Sequence, residues 1–429
     1  MKEKIENFFT EKVIPKLEAF SKHRITKAIM TGMAAPISMT IIGSVFAVLQ
    51  NPPADPNTTN AFFQGWIAWS QSNSELLNMG NLISMKFIAI YALLGIVVSL
   101  ANSHKVRPIN MLIISLSSFV ALAANPVDGG ISTKWFGAAG LFSAVIIGVV
   151  IVELAIFILN KGIKIKLPET VPPNIAEPLE AMLMNFIIFA LVLLARQGFI
   201  MMGTSLPALI AGLFAPLFVA SDTLWAVIVY VLVVRLLWFF GLHGGNISSA
   251  VVTPFITANM IANVNAYAAH EPLPCIFTIE WTQTWTVMGI LGLCISLMIV
   301  AKSSQLKTIA AVGFVPAIFT IGEPITFGVP IVLNFNIFIP YITCFLLDGI
   351  IPYLLTEFGF ISRTFIQLPG ITPGLIESFL NALDWRAPLF WLALLALNVI
   401  IFIPFVKSYD RKLLAIELAD EAESSKNVE

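Results

Sequence analysis

The 429-residue sequence predicts an all-α polytopic membrane protein, and three observations carry that prediction. Hydrophobic residues make up 58% of the chain and charged residues 11%, where soluble domains average about 45–50% and about 25%. A soluble protein of this length has too little interior to hide so much apolar surface. Apolar stretches also recur at the ~20-residue length that a bilayer crossing needs. Finally, two breaks rich in glycine and proline each place one titratable side chain inside strongly apolar sequence. One holds Gly241, His243, Gly244, Gly245 and Asn246; the other holds Gly322, Glu323, Pro324 and Gly328. Broken backbone at membrane depth persists only where protein buries it or where it lines a wet cavity. An ionisable group there marks a functional site by default.

Residues 1–27 alternate Lys2, Lys4, Lys12, Lys16, Lys22, Arg24 and Lys27 with Ile5, Phe8, Phe9, Val13, Ile14, Leu17 and Phe20 at helical spacing. This pattern predicts an amphipathic helix on the inner membrane face. It is not a short apolar run with a small-residue cleavage site, so the first span is expected to act as an uncleaved insertion signal. Spans follow near 28–49, 82–101, 108–124 and 136–159, with 50–81 as a loop. The first half, 28–166, therefore reads as regular helices suited to a scaffold or subunit contact.

Basic loops at 102–107 (His104, Lys105, Arg107) and 161–166 (Lys161, Lys164, Lys166) alternate with loops poor in Lys and Arg at 50–81 and 125–135. The positive-inside rule then places the N-terminus in the cytoplasm and 51–80 outside. Pro168, Pro172, Pro173 and Pro178 predict an extended cytoplasmic connector over 167–180. Beyond it the pattern loosens. Apolar stretches occupy 181–202, 206–219 and 224–241, 242–283 is mixed, and a clear span returns at 284–301. Shorter pieces follow at 308–321, 329–347 and 349–360, then a polar external segment at 361–385 and a last span at 387–406. Lys407, Arg411 and Lys412 put the 407–429 tail inside.

Broken helices suit a substrate site, which places that site in 181–406. His243 sits beside two glycines that let backbone approach a ligand, and Asn246 adds a donor and an acceptor; the plainer alternative is a histidine satisfied by helix–helix hydrogen bonding. A carboxylate at Glu323 costs several kcal/mol at the bilayer centre unless it is paired or wet. Its plainer alternative is a structural carboxylate tied to backbone amides. Trp238, Phe239 and Phe240 offer flat apolar faces that match the C–H face of a pyranose, or they form a core or lipid-facing cluster. Asn334 and Asn336 are candidates for the same cavity. Arg235 either snorkels or pairs with an acid, and Arg196 marks a helix end. Trp66, Trp69, Trp281 and Trp285 read as interfacial anchors. Cys275, Cys294 and Cys344 make no disulfide framework, and Cys294 and Cys344 read as inert core thiols. The four histidines give no pair at metal-ligand spacing.

The two blocks, the basic amphipathic N-terminus and the length together resemble the membrane component (enzyme IIC) of the bacterial phosphotransferase system, of the lactose, cellobiose and N,N′-diacetylchitobiose type. The resemblance spans essentially the whole chain. It implies about ten transmembrane helices plus two re-entrant hairpins and a homodimer formed largely through the N-terminal helices. It also implies a β-linked disaccharide held in the C-terminal half of a bacterial cell-membrane protein. The family's sugar-contacting His and Glu fall on His243 and Glu323; the residues themselves make this pair the catalytic candidates that hold the accepting hydroxyl and handle its proton, with Gly244, Gly245, Asn246, Trp238 and Asn334 as further candidate substrate contacts. The segment from Leu368 to Gly374 resembles a late proline–glycine segment of the family. Transport there is group translocation, with a separate cytosolic IIB component bearing a phosphocysteine. The polar tail is too short for such a domain, so the phosphoryl donor is expected on another chain. No metal, cofactor or nucleic-acid partner is implied. An ion-coupled secondary sugar transporter with His243 and Glu323 as a proton relay is the competing reading. An intramembrane lipid enzyme fits less well, because the chain has no metal triad and no Gly-x-Ser-x-Gly elbow.

Overall fold

Apolar runs in a membrane must satisfy their backbone hydrogen bonds internally, and here they do so almost entirely as helix. The computed structural model describes residues 14–54, 57–163, 165, 167–168, 172–329, 331–332 and 334–426. In chain order the first helices are α1 (Ile14–Lys22), α2 (Arg24–Ala34), α3 (Ile37–Gln50), α4 (Ala61–Ser72), α5 (Ser74–Met85), α6 (Ile88–Ser103) and α7 (Pro108–Ala123). A small hairpin of β1 (Pro126–Val127) and β2 (Gly130–Ile131) precedes α8 (Leu141–Asn160), α9 (Pro173–Met201) and α10 (Leu206–Ser221). Next come α11 (Leu224–Phe239), α12 (Gly244–Ala268), α13 (Ile279–Trp285), α14 (Gly289–Val300) and α15 (Ser304–Ile318). Last are α16 (Glu323–Gly328), α17 (Phe335–Glu357), α18 (Gly374–Leu380) and α19 (Arg386–Lys426). Seven helical stretches among the described residues are long and apolar enough to cross a membrane. Of the N-terminal amphipathic pattern only the part from Ile14 is described; Lys2, Lys4, Lys12, Ile5, Phe8, Phe9 and Val13 lie outside the described residues, as do Lys164 and Lys166.

The chain forms two compact units, one of Glu18–Ala220 with Thr253–Pro272 and the other of Ser221–Val252 with the chain from Leu273 onward. In the first, α6 is the central helix and packs against α2, α7 and α8. Ile96, Val97, Leu100, Phe119, Val152 and Met184 fill its core. A charged clasp joins three elements: Arg24 Nη2 lies 3.0 Å from Glu153 Oε2, and His104 Nε2 lies 3.1 Å from Glu153 Oε1. Tyr267 donates to the Asn51 carbonyl at 2.6 Å, tying the end of α12 to the end of α3.

Two expectations for this unit change. Residues 50–81, expected as a loop, contain α4 and most of α5, and Asn60 caps α4 by accepting from the Phe62 and Phe63 amides. A search for ~20-residue spans overlooks such twelve-residue helices. The expected extended connector becomes helical at Pro173, because proline is tolerated in a first turn that lacks N–H partners anyway.

In the second unit α14 packs on α15 and α19, α11 packs on α17, and α13 packs on α18. Residues 242–283, expected as mixed, are largely the 25-residue α12, which runs through Pro254. The pieces expected at 329–347 and 349–360 are instead one 23-residue helix, α17, which passes through Pro340 and Pro352. Neighbouring helices can re-satisfy the backbone groups a proline frees, so proline need not end a packed membrane helix. The 361–385 segment is no free polar loop: Thr364, Gln367, Glu377, Ser378 and Asn381 are buried. Trp281 and Trp285 are core residues rather than interfacial anchors, whereas Trp69 is 45% exposed. Cys294 and Cys344 are buried thiols, as expected.

Candidate functional site

α11 ends in a Schellman turn. The Gly241 amide donates to the Trp238 carbonyl, the Leu242 amide donates to the Leu237 carbonyl, and Gly241 sits at φ 83°, where glycine carries no Cβ penalty. The chain then enters α12 with His243 as the capping residue. The His243 carbonyl accepts from the Ile247 amide, and its Nδ1 accepts from the Asn246 amide at 3.1 Å. That second bond fixes the tautomer. Because Nδ1 is an acceptor, a neutral ring carries its proton on Nε2, and Nε2 is the atom that faces Glu323 Oε1 at 3.6 Å.

Glu323 reaches that position from the other break. α15 closes on the Pro316 carbonyl, which accepts from Phe319 and Ile321, and Thr320 between them takes φ 64°. A non-glycine residue in that region is strained, a feature that clusters at functional sites. Glu323 then opens α16, where the unpaired amides of a first turn favour a carboxylate. Thr326 Oγ1 locks the turn by donating to the Gly322 carbonyl at 2.9 Å. Aromatic contacts bridge the two breaks: the Trp238 ring lies 4.5 Å from the imidazole and 5.9 Å from Phe327 of α16.

The two titratable groups are open to ligand, with 45% of the His243 side chain and 47% of the Glu323 side chain exposed. The carboxylate that the sequence required to be paired or wet is half-exposed. Trp238 is only 9% exposed and supports the imidazole from behind. Phe239 is buried and packs its ring against those of Phe240, Phe335 and Phe338. Gly244 serves packing more than ligand approach: a Cβ there would stand 2.1 Å from the Val234 carbonyl oxygen, while one at Gly245 would make an ordinary 3.6 Å contact with the imidazole. Asn246 contributes its amide. Asn334 caps α17, accepting from the Asn336 amide and side chain at 3.1 Å each, while Asn336 Oδ1 accepts from Lys412 at 2.7 Å. Their side chains are committed to these bonds.

Arg235, one turn before Trp238, is buried rather than snorkelling. Its Nη2 donates to the Thr286 carbonyl at 2.5 Å, and its guanidinium lies 3.5 Å above the Phe345 ring, which anchors α11 in the unit.

Three features escaped the sequence. Thr320 Oγ1 donates to the Gly370 carbonyl at 3.1 Å, which brings the Leu368–Gly374 segment against the Glu323 break. Behind that segment the carboxyl groups of Glu280 and Glu377 face each other in the interior, and burial pushes Glu377 up to about 8. At the start of α19, Asp384 accepts from Arg386 Nε and Nη2 at 2.9 and 2.8 Å and from the Ser362 amide at 2.8 Å. Burial alone would raise its pKa, but these donors outweigh it and hold the carboxyl at about 2. Glu377 and Asp384 lie in the 361–385 stretch that reads from sequence as a polar external segment.

The phosphotransferase system EIIC family matches residues 30–344. This chain belongs to that family. It is a sugar-transport permease component that passes the membrane several times. It is 29% identical over 439 residues to the lichenan permease IIC component of Bacillus subtilis, covering 96% of this chain and 95% of that one. It is 28% identical over 429 residues to the lactose-specific EIICB component of Lacticaseibacillus casei, covering 96% of this chain and 72% of that protein. The crystal structure of ChbC, the IIC component of an N,N′-diacetylchitobiose-specific system, superposes with a TM-score of 0.86 at 28% identity, covering 96% of this chain and 99% of that one. These relatives are of the type to which the His and Glu blocks pointed.

Proposed function

We propose that this permease binds a β-linked disaccharide between His243 and Glu323 and presents it at the cytoplasmic face for phosphorylation by a separate IIB component. Lactose, lichenan and diacetylchitobiose, the sugars in the names of the relatives, share β linkages, which supports that substrate class. One observation carries the site. An N–H donor on His243 Nε2 and a carboxylate acceptor on Glu323 stand 3.6 Å apart, beyond normal hydrogen-bond length and half open to solvent. A sugar hydroxyl entering beside them accepts from the imidazole and donates to the carboxylate.

In this reading transport is group translocation. The hydroxyl oxygen attacks the phosphorus of the partner's phosphocysteine, a P–O bond forms as the P–S bond breaks, and the thiolate leaves. The hydroxyl proton passes to Glu323, the nearest base. Positioning and electrostatics supply most of what phosphoryl transfer needs. Trp238 holds the imidazole in place, and Gly244 and Asn246 set its backbone.

The fuller architecture belongs to this same reading: about ten spanning helices with two re-entrant hairpins, a scaffold and dimer contact in 28–166, a sugar-binding half in 181–406, and both termini in the cytoplasm. The alternating basic loops support that orientation. Incubating membranes with a β-linked disaccharide, with and without phosphorylated IIB, tests the function. Sugar phosphate should form only with the donor present; donor-independent accumulation of free sugar against a gradient contradicts the reading.

A further inference from the structure

At the end of α7 remote from the basic 102–107 loop, the first unit contains a cavity of about 460 Å³. Asn125, Lys134, Trp135, Arg196, Thr204 and Ser205 form its polar side, so its lining carries two cations and no carboxylate. Arg196 lies within α9 rather than at its end, and it holds the last turn of α7: it donates to the Ala121 carbonyl, to the Ala124 carbonyl at 2.7 Å and to Asn125 Oδ1 at 3.1 Å. All three partners are uncharged, so these bonds leave the positive charge without a counter-ion. The Lys134 ammonium lies 5.0 Å from the Trp135 ring, and tryptophan is an interfacial residue.

The other side of the cavity is apolar. Phe199 and Ile200 line it, and it continues onto a face of α9 where Leu193, Leu194, Ile200 and Met201 are 46, 70, 52 and 79% exposed. Their positions i, i+1, i+7 and i+8 form one helical stripe, with Arg196 on its flank. A free anion would satisfy the cations and leave the stripe unused. An anion attached to acyl chains uses both.

We infer that this cavity binds the phosphate headgroup of an anionic membrane phospholipid, with the acyl chains lying along α9. Lys134 and Arg196 face the phosphate, Asn125, Thr204 and Ser205 offer neutral hydrogen bonds at its edge, and Trp135 marks the headgroup level. The lipid would pin the α7–α8 connection to α9.

The test uses the full chain, delipidated in detergent and titrated with phosphatidylglycerol, phosphatidylcholine of matched acyl chains, or inorganic phosphate. Native mass spectrometry counts retained lipid, and melting reports stabilisation. Phosphatidylglycerol should be retained and raise Tm, while phosphatidylcholine and inorganic phosphate should do neither. Arg196→Gln is a poor single test, because it also uncaps α7. Lys134→Glu should lower phosphatidylglycerol affinity by at least about tenfold, Lys134→Arg should retain it, and sugar affinity should be unchanged in both. Equal retention of the two lipids, equal stabilisation by inorganic phosphate, or unaltered binding by Lys134→Glu overturns the assignment.

Discussion

Substituting Glu323 by Gln and His243 by Ala separates a sugar site from a structural ion pair. At 3.6 Å, two unit charges attract by about 1 kcal/mol at the dielectric of water and by about 5 at an effective value of 20. Both side chains are about half exposed, 45% and 47%, so the weaker end applies, and exposed pairs typically measure only about 0.2–1 kcal/mol. Losing the pair should therefore leave folding nearly intact. Losing a hydrogen bond between a charged group and a bound hydroxyl removes about 1.5–3 kcal/mol of binding, or roughly ten- to a hundredfold in Kd. Each variant should thus weaken sugar binding at least about tenfold while Tm moves little. Because Glu323 also takes the hydroxyl proton in the proposed chemistry, Glu323→Gln should depress phosphorylation more than binding. Isothermal titration and melting of purified variants, followed by the IIB-dependent assay, read all three effects. Normal affinity in both variants, or a large loss of Tm with normal affinity in the surviving protein, refutes the reasoning.

The remaining predictions concern backbone, acid stability and orientation. Gly244→Ala sets a Cβ 2.1 Å from the Val234 oxygen, which should cost about 1–3 kcal/mol and sugar affinity with it, whereas Gly245→Ala should be tolerated in both melting and titration. Asp384 has its pKa depressed from 3.8 to about 2, so its contribution is complete above pH ~4 and is lost as pH falls through 2. At about 1.4 kcal/mol per pKa unit, Asp384→Asn should lose about 2 kcal/mol at neutral pH, and the gap from the parent should close by pH ~2; equal melting at neutral pH contradicts this. A cysteine at Gly65, where the added side chain meets open space, should react with an impermeant thiol reagent from outside intact cells in a Cys275→Ser background. Labelling from the cytoplasmic side alone overturns the orientation.

Composition and patterning determined the class of this protein. Continuous apolar runs of about 20 residues cross lipid as helix, and two titratable groups placed in glycine–proline breaks stood out against 58% hydrophobic sequence. His243 and Glu323 were legible for that reason. Element boundaries were less so, because hydropathy measures how well a stretch tolerates lipid and not where its helix stops. It missed α4, divided α17 at residue 348, and read 361–385, which holds Glu377 and Asp384, as a polar external segment. Only tertiary packing decided those points. A buried acid declares itself through the partners that face it, and those partners come from far along the chain. The same holds for the site. Sequence placed an imidazole and a carboxylate eighty residues apart; the Asn246 amide on Nδ1 and the Trp238–Phe327 contact turned Nε2 toward Oε1.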